Sequence, residues 1–319
     1  MEYRMTETEH GMTVKQYLHH VLRLSGAQVT ALKKDPRGIL ANGGHVTVRY
    51  ILQAGDVLSL ADTDTDSSEN IVPTELPLTV LYEDDAIIVC NKPPYMPTHP
   101  SHGHYADTLA NGLAYLFVRR SQPFVFRSCS RLDRDTSGLV TVAKTRAAAY
   151  HFQRAHTAGE VDKTYLAVLV GHLTPTVGEI GGCIRRMEDS VITRVVTEDD
   201  GAPALTRYRV LAYGTAPDGR ALTLCEAQPV TGRTHQLRVH FAHLGTPMLG
   251  DFLYGQENDA LIGRQALHCC RTAFDHPVSG RRMTLCAAPP DDFLDLMAYF
   301  DFHPDSDERT ATDNDKNNA

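Results

Sequence analysis

The chain has 319 residues, 42% of them hydrophobic and 22% charged, and carries a formal net charge of −8. That length suits about two domains, each able to bury a core, and the near-average composition excludes wholesale disorder, collagen and coiled coil. No stretch reaches the roughly 18 consecutive apolar residues of a membrane span, and Met1-Glu2-Tyr3-Arg4 opens no apolar signal region. A cytoplasmic protein with no membrane partner is therefore expected.

In chain order, Thr13 followed by Gln16 is a capping-box signal. It opens an amphipathic helix through Val14, Tyr17, Leu18, Val21 and Leu22. A second short helix runs from Ser25 through Val29 and Leu32 until Pro36 breaks it. Asn42-Gly43-Gly44 predicts a turn between strands at 38–41 and 45–50, and Ala54-Gly55-Asp56 another before a strand at 57–60. Residues 1–60 therefore read as a small α/β module. Ala61 to Glu75 carries a net charge of −5 in linker-like composition, and 301–319 carries −4 in a composition typical of a disordered tail. The remaining residues sum to +1. Between linker and tail, 76–300 forms the main domain. Strands are expected at 86–90, 138–143, 164–170, 204–212, 221–227, 266–274 and 282–287. Helices are expected at 106–117, 145–157, 235–243 and 292–299. Hairpin-like strand pairs mixed with isolated helices predict an α+β fold. Seven cysteines without a C-x-x-C spacing read as small hydrophobes in a reducing cytoplasm, neither a disulfide framework nor a zinc site.

The densest chemistry lies in Ser130-Arg131-Leu132-Asp133-Arg134-Asp135-Thr136-Ser137-Gly138, which runs into an apolar strand. Loops held by rigid strands are favoured places for reactive groups, and a carboxylate near arginines stays ionised and can act as a nucleophile. A structural ion-pair turn accounts for the same composition. In Thr231-Gly232-Arg233-Thr234-His235-Gln236-Leu237-Arg238-Val239-His240, two arginines bracket a helix start that would attract anions. A capped helix with solvated arginines is the plainer reading. His235, His240 and His243 lack a companion ligand at metal spacing, so no metal is expected.

Five segments together resemble the RluA-type pseudouridine synthases: N-K-P at 91–93, R-L-D-R-D-T-S-G at 131–138, K-T-Y-L-A at 163–167, G-R-T-H-Q-L-R-V-H at 232–240 and G-D-F-L-Y-G at 250–255, in the family's order. The resemblance covers about 78–288. It implies the pseudouridine synthase fold, with a mixed, mainly antiparallel central sheet flanked by helices and loops. Residues 1–60 look like an S-four-type RNA-binding module. By this resemblance Asp133 matches the catalytic aspartate, Tyr165 the tyrosine that packs on the target base, and Arg238 the arginine that pairs with the catalytic carboxylate. Arg131 matches the arginine that takes the place of a flipped-out uridine; Arg134, Arg233, His235 and Gln236 are carried over as RNA-binding. Ser130 stands where the family commonly has His, which bears on local RNA contacts.

The reaction implied is isomerisation of uridine to pseudouridine in structured RNA. It consumes nothing, so no cofactor is expected. The expected partner is large-subunit rRNA, with tRNA as the alternative substrate, and a monomer is expected. Two other readings are a non-catalytic RNA-binding protein that keeps the fold and a hydrolase using Asp133 and Asp135 as paired acids. The net charge of −8 argues against a polyanionic partner only until it is divided by segment. Arg127, Arg131 and Arg134 then stand out as a local basic stretch.

Overall fold

The computed structural model describes residues 2–22, 24, 26–61, 68, 71–256 and 259–300. The acidic tail expected at 301–319, and residues 62–67, 69 and 70 of the expected linker, lie outside the described residues. The chain divides into two units, one of Met1–Asp162 with Arg271–Ala287, the other of Lys163–Cys270 with the chain from Ala288. No helix among the described residues is long and apolar enough to cross a membrane.

The first unit starts with β1 (Glu2–Arg4), α1 (Val14–Gln16), α2 (Gly26–Lys34), β2 (Ile39–Ala41), β3 (Gly44–His45) and β4 (Val57–Leu60), with the strands in the order β1-β4-β2-β3. The capping box forms as expected. Thr13 Oγ1 accepts the Gln16 N–H at 3.2 Å, and Gln16 Oε1 accepts the Thr13 N–H at 2.9 Å. Beyond Gln16 the helix widens into a π turn over Tyr17–Val21, closed by the Leu22 N–H on Tyr17 O at 2.9 Å. Tyr17, Leu18 and Leu22 join Met5, Val14, Val29, Leu32, Ile39, Leu52, Leu58 and Leu60 in a core of the module's own.

The strand expected at 45–50 stops at His45, and the reason lies in a helix more than thirty residues earlier. The first amides of a helix have no intrahelical acceptor. Here Val14 and Lys15 donate theirs to the carbonyls of Tyr50 and Val48, at 2.8 and 2.9 Å. Residues 46–50 therefore serve the helix end.

The rest of this unit comprises β5 (Thr79–Glu83), β6 (Ile87–Lys92), α3 (Leu109–Arg119), β7 (Arg127–Ser128), β8 (Ser137–Ala143) and α4 (Arg146–Ala158). β6 pairs antiparallel with β5 and with β8, and β7 pairs with β8. All seven residues of β8 are buried, as a strand covered on both faces requires. The strand thereby gives a rigid end to the loop before it. Thr145 caps α4 at its start, and Gly159, at φ 70°, ends it in the left-handed conformation.

The second unit holds β9 (Asp162–Val170), β10 (Val177–Arg186), β11 (Arg194–Thr197), β12 (Ala202–Thr215), β13 (Ala221–Pro229) and α5 (Gln236–His243). Its strands run antiparallel in the order β11-β10-β12-β13-β9. The chain continues through β14 (Leu267–Asp275), its antiparallel partner β15 (Arg282–Cys286) and α6 (Asp291–Met297). Val168, Leu222, Leu224, Leu249, Ile262, Phe293 and Leu296 form the core under α6. The architecture is α+β, as expected.

The sequence reading missed β1, β5, β7, β10 and β11. In β10, Gly178, Gly181 and Gly182 dilute the apolar alternation that marks a strand. Two of them are required by packing. A Cβ at Gly178 would lie 2.6 Å from the Tyr208 hydroxyl, and Gly182, at φ +131°, would bring one within 2.9 Å of Val196.

Helix α5 contains a buried histidine. His240 Nδ1 is 2.9 Å from Thr206 Oγ1, and Nε2 has no hydrogen-bond partner among the described residues. Burial, reinforced by His243, pushes its pKa down to about 4. The folded chain thus resists a proton that the unfolded chain binds near pH 6.5. Stability from this source is complete above that pH, is lost as pH falls from about 6.5 toward 4, and totals up to about 3 kcal/mol. Urea denaturation at pH 7 and pH 4.5 should show a smaller loss for His240→Gln than for the wild type. Equal losses would remove His240 as the cause.

Candidate active site

The first unit carries the loop 129–136 between β7 and β8, which begins at Ser137. Asp133 is half-buried, Arg131 and Arg134 are exposed, and Leu132, Asp135, Thr136 and Ser137 are buried. The backbone is held on both sides of Asp133. Before it, Thr98 Oγ1 donates to Leu132 O at 3.0 Å and accepts the Leu132 N–H at 3.3 Å. After it, Lys92 Nζ donates to Arg134 O at 3.0 Å, and to Pro93 O and Met96 O at 2.8 and 2.7 Å. Lys92 is fully buried, so its ammonium needs these carbonyls, which in turn tie the loop to the end of β6. A turn bond from the Thr136 N–H to Asp133 O, 3.1 Å, completes the loop.

Arg134 pairs with its neighbour Asp135 through Nε and Nη2, at 2.8 and 3.1 Å. The ion-pair turn weighed from composition therefore exists, but it uses Asp135 as the acid. His99 is exposed at the surface, yet partial desolvation, and then the charge of Arg131, hold its pKa below the ordinary value.

In the second unit, Tyr165 is a buried residue of β9 opposite Ala227 of β13. The segment 231–240 makes the approach to α5 and its first turns. Gln236 is buried, and its amide is used at both ends. Oε1 accepts from Thr231 Oγ1 at 2.7 Å and from the Arg233 N–H at 3.0 Å, while Nε2 donates to Leu205 O and Thr206 Oγ1 at 2.9 and 3.0 Å. These four bonds fill the capacity of a primary amide, so Gln236 fixes the entry to α5. Arg233 is exposed and donates from Nε to Pro203 O at 2.9 Å. His235, at φ +57°, takes a conformation uncommon outside glycine. Its Nδ1 is 3.0 Å from the Tyr254 hydroxyl.

Arg238 is 3% exposed. Its Nε and Nη2 each bond a different oxygen of Asp251 at 2.7 Å, and Asp251 is itself fully buried. The guanidinium carbon lies 5.3 Å from the Tyr254 ring centre and 5.7 Å from that of Phe252. Asp251 Oδ1 also accepts the N–H groups of Leu253 and Tyr254 at 3.0 and 3.2 Å. One carboxylate therefore both orients the arginine and shapes the 251–255 turn. The Tyr254 hydroxyl accepts the Arg194 N–H of β11 at 2.8 Å. Burial raises the Tyr254 pKa despite that bond and the nearby arginines, so the phenol is neutral.

The structure thus brings Arg238, Asp251, Phe252, Tyr254 and His235 together in one unit, and builds the Asp133 loop on Thr98 and Lys92 in the other. Asp251, Thr98 and Lys92 were not assigned roles from the sequence. The signals for two of them were present in G-D-F-L-Y-G and N-K-P, but spacing alone says nothing of a carboxylate 13 residues from its arginine.

A family model described as RNA pseudouridylate synthase matches residues 86–243. The chain is 38% identical to the uncharacterized RNA pseudouridine synthase YjbO of Bacillus subtilis (strain 168), over 90% of this chain and 98% of the relative. It is 36% identical to ribosomal large subunit pseudouridine synthase D of Xanthomonas campestris pv. campestris, over 82% of this chain and 77% of that one. Among solved structures, human RNA pseudouridylate synthase domain containing 1 is similar with a TM-score of 0.57 and 31% identity, covering 70% of this chain and 88% of its own.

Breaking the clamp should be costly, because Asp251→Ala leaves a buried guanidinium without its main counter-charge. A loss of about 3–5 kcal/mol is expected. Chemical denaturation checks it, and a loss below about 1 kcal/mol would mean that water relaxes into the site.

Proposed function

The chain belongs to the RluA-type RNA pseudouridine synthase family, and on that footing we propose that it converts specific uridines of large-subunit rRNA to pseudouridine, with Asp133 as nucleophile on a flipped-out base. Membership makes it an RNA-modifying isomerase. The large-subunit substrate rests on the similarity to relatives named for that activity, at 34–36% identity. The same reading makes 1–60 an appended RNA-binding module and 76–300 the catalytic domain, in a cytoplasmic monomer that needs no cofactor.

The observation that carries the catalytic assignment is the fixed Arg238. Its Nε edge is taken by Asp251, and a guanidinium has a second edge of the same fork geometry. In this proposal Arg238 is the arginine that the family uses to pair with and aim its catalytic carboxylate. Tyr165 packs against the uracil. An unperturbed phenol has a pKa near 10, so the tyrosine acts as a neutral group that can hand on a proton.

The isomerisation requires cleavage of the bond between C1′ and N1, rotation of the uracil, and closure of a bond from C1′ to C5. The proton on C5 leaves and N1 gains one, so the reaction balances internally. Flipping the uridine out of a stack costs a few kcal/mol. Arg131, exposed on the Asp133 loop, is placed in this proposal to fill the vacated space, with Arg134, Arg233 and His235 contacting the flanking RNA. The backbone bonds from Thr98 and Lys92 would keep the carboxylate in place while the base is handled, as preorganisation demands.

Asp133→Asn should abolish pseudouridine formation, a loss of at least about four orders of magnitude, while changing RNA affinity by less than about threefold. Pseudouridine mapping across total RNA, with and without the gene, identifies the substrate. Loss of a large-subunit rRNA site is expected; loss confined to tRNA would replace the rRNA assignment, and turnover by Asp133→Asn would remove the nucleophile.

A further inference from the structure

The turn that carries Asp251 leaves one large apolar side chain outside. Asp251 is fully buried, Leu253 and Tyr254 are partly buried, and Phe252 between them is 45% exposed. A single exposed phenylalanine is unremarkable on a protein surface. This one differs in how it is held. The Gly255 N–H closes the turn on Asp251 O at 2.8 Å, and the Asp251 side chain accepts the next two amides. The Phe252 ring also lies against the guanidinium of Arg238, 5.7 Å from centre to carbon. It is therefore a fixed aromatic surface beside a residue of the proposed catalytic set.

We propose that Phe252 is a nucleobase-stacking residue, on which an unpaired base of the RNA substrate lies next to the target uridine. This rests on the reading of the chain as an enzyme acting on RNA. Single-stranded RNA is bound largely by stacking bases on aromatic side chains, each stack being sequence-tolerant because every base has a π face. Displacing a uridine also unstacks its neighbours, and a rigid ring offers one of them a new partner. The arginine contacts the ring, and the exposed remainder is left to the base. The turn needs no rearrangement to accept it, so little ordering entropy is spent.

The chain contains no tryptophan, so Phe252→Trp introduces a single fluorophore at the proposed stacking position. Titration with a short oligouridylate should quench its emission, with the same midpoint as an anisotropy titration, while an abasic oligomer of equal length should bind without quenching. In kinetics on an rRNA transcript, Phe252→Ala and Phe252→Leu should each raise KM about tenfold, with kcat within about twofold, and Phe252→Tyr should restore KM. A role limited to packing on Arg238 would instead be rescued by leucine and would show in kcat. Wild-type KM for Phe252→Leu, or bound oligouridylate without quenching, overturns the proposal. Absence of turnover by the wild type would count against the proposed function, and the fluorescence titration would still decide the role of Phe252.

Discussion

A buried arginine has to be given a counter-charge, and the geometry of the second unit's site follows from how Arg238 is given one. Stripping an ion pair of water costs several kcal/mol per ion. The attraction offsets that only with good geometry and with the remaining lone pairs satisfied. Both conditions are met. The two Arg238–Asp251 contacts are 2.7 Å each, and Asp251 fills further acceptor capacity with the amides of Leu253 and Tyr254. An apolar pair of similar volume would stabilise such a site at least as well. The arrangement makes sense where a guanidinium must be held in one orientation for chemistry, with two aromatic rings limiting its remaining freedom.

The first unit meets the related problem with a lysine. The Asp133 loop has few apolar side chains to anchor it, and its arginine–carboxylate pair joins adjacent residues, Arg134 and Asp135, so that pair closes no long-range contact. Its position is set instead by backbone bonds to Thr98 and to the buried Lys92. Lys92 bonds three carbonyls, two of its own segment and one 42 residues away. In both units, a desolvated cation joins chain segments at the edge of the residues proposed to do chemistry. Loss of either cation would be felt as misplacement of a loop as well as loss of charge.

Much of this was legible in the sequence where the determinant is local. The Thr13–Gln16 capping box, the apolar strand after Ser137 and the helices at 145–157 and 235–243 rest on contacts a few residues apart, and all form within a residue or two of expectation at their starts. The elements missed depend on distant partners. β10 is held as a strand by its pairing with β11 and β12, where Gly178 leaves room for the Tyr208 side chain, and 46–50 is irregular because α1 takes its carbonyls. For the site, the motif segments identified the chain's family, but only the fold shows what supports them. Gln236 looked like a polar residue available to RNA and is fully occupied by Thr231, Arg233, Leu205 and Thr206.

The charge distribution bears on how RNA would be held. The net of −8 comes from 61–75 and 301–319, and the rest of the chain sums to only +1. So small a net positive charge gives little long-range attraction, and counterion release, which supplies most non-specific affinity for nucleic acid, is left to local stretches such as Arg127, Arg131 and Arg134. Other arginines are committed within the protein: Arg209 to Glu226 and Arg220 to Asp218 and Asp259. Binding energy must then come more from shape and from surfaces that receive displaced bases. A preformed aromatic turn such as 251–255 supplies contact of that kind without adding positive charge. Contact of this sort forms only with bases that can leave a helix, so it favours locally unpaired RNA over duplex. For an enzyme proposed to flip out a uridine before it acts, weak electrostatics combined with stacking would direct affinity to the sites where the base is easiest to remove.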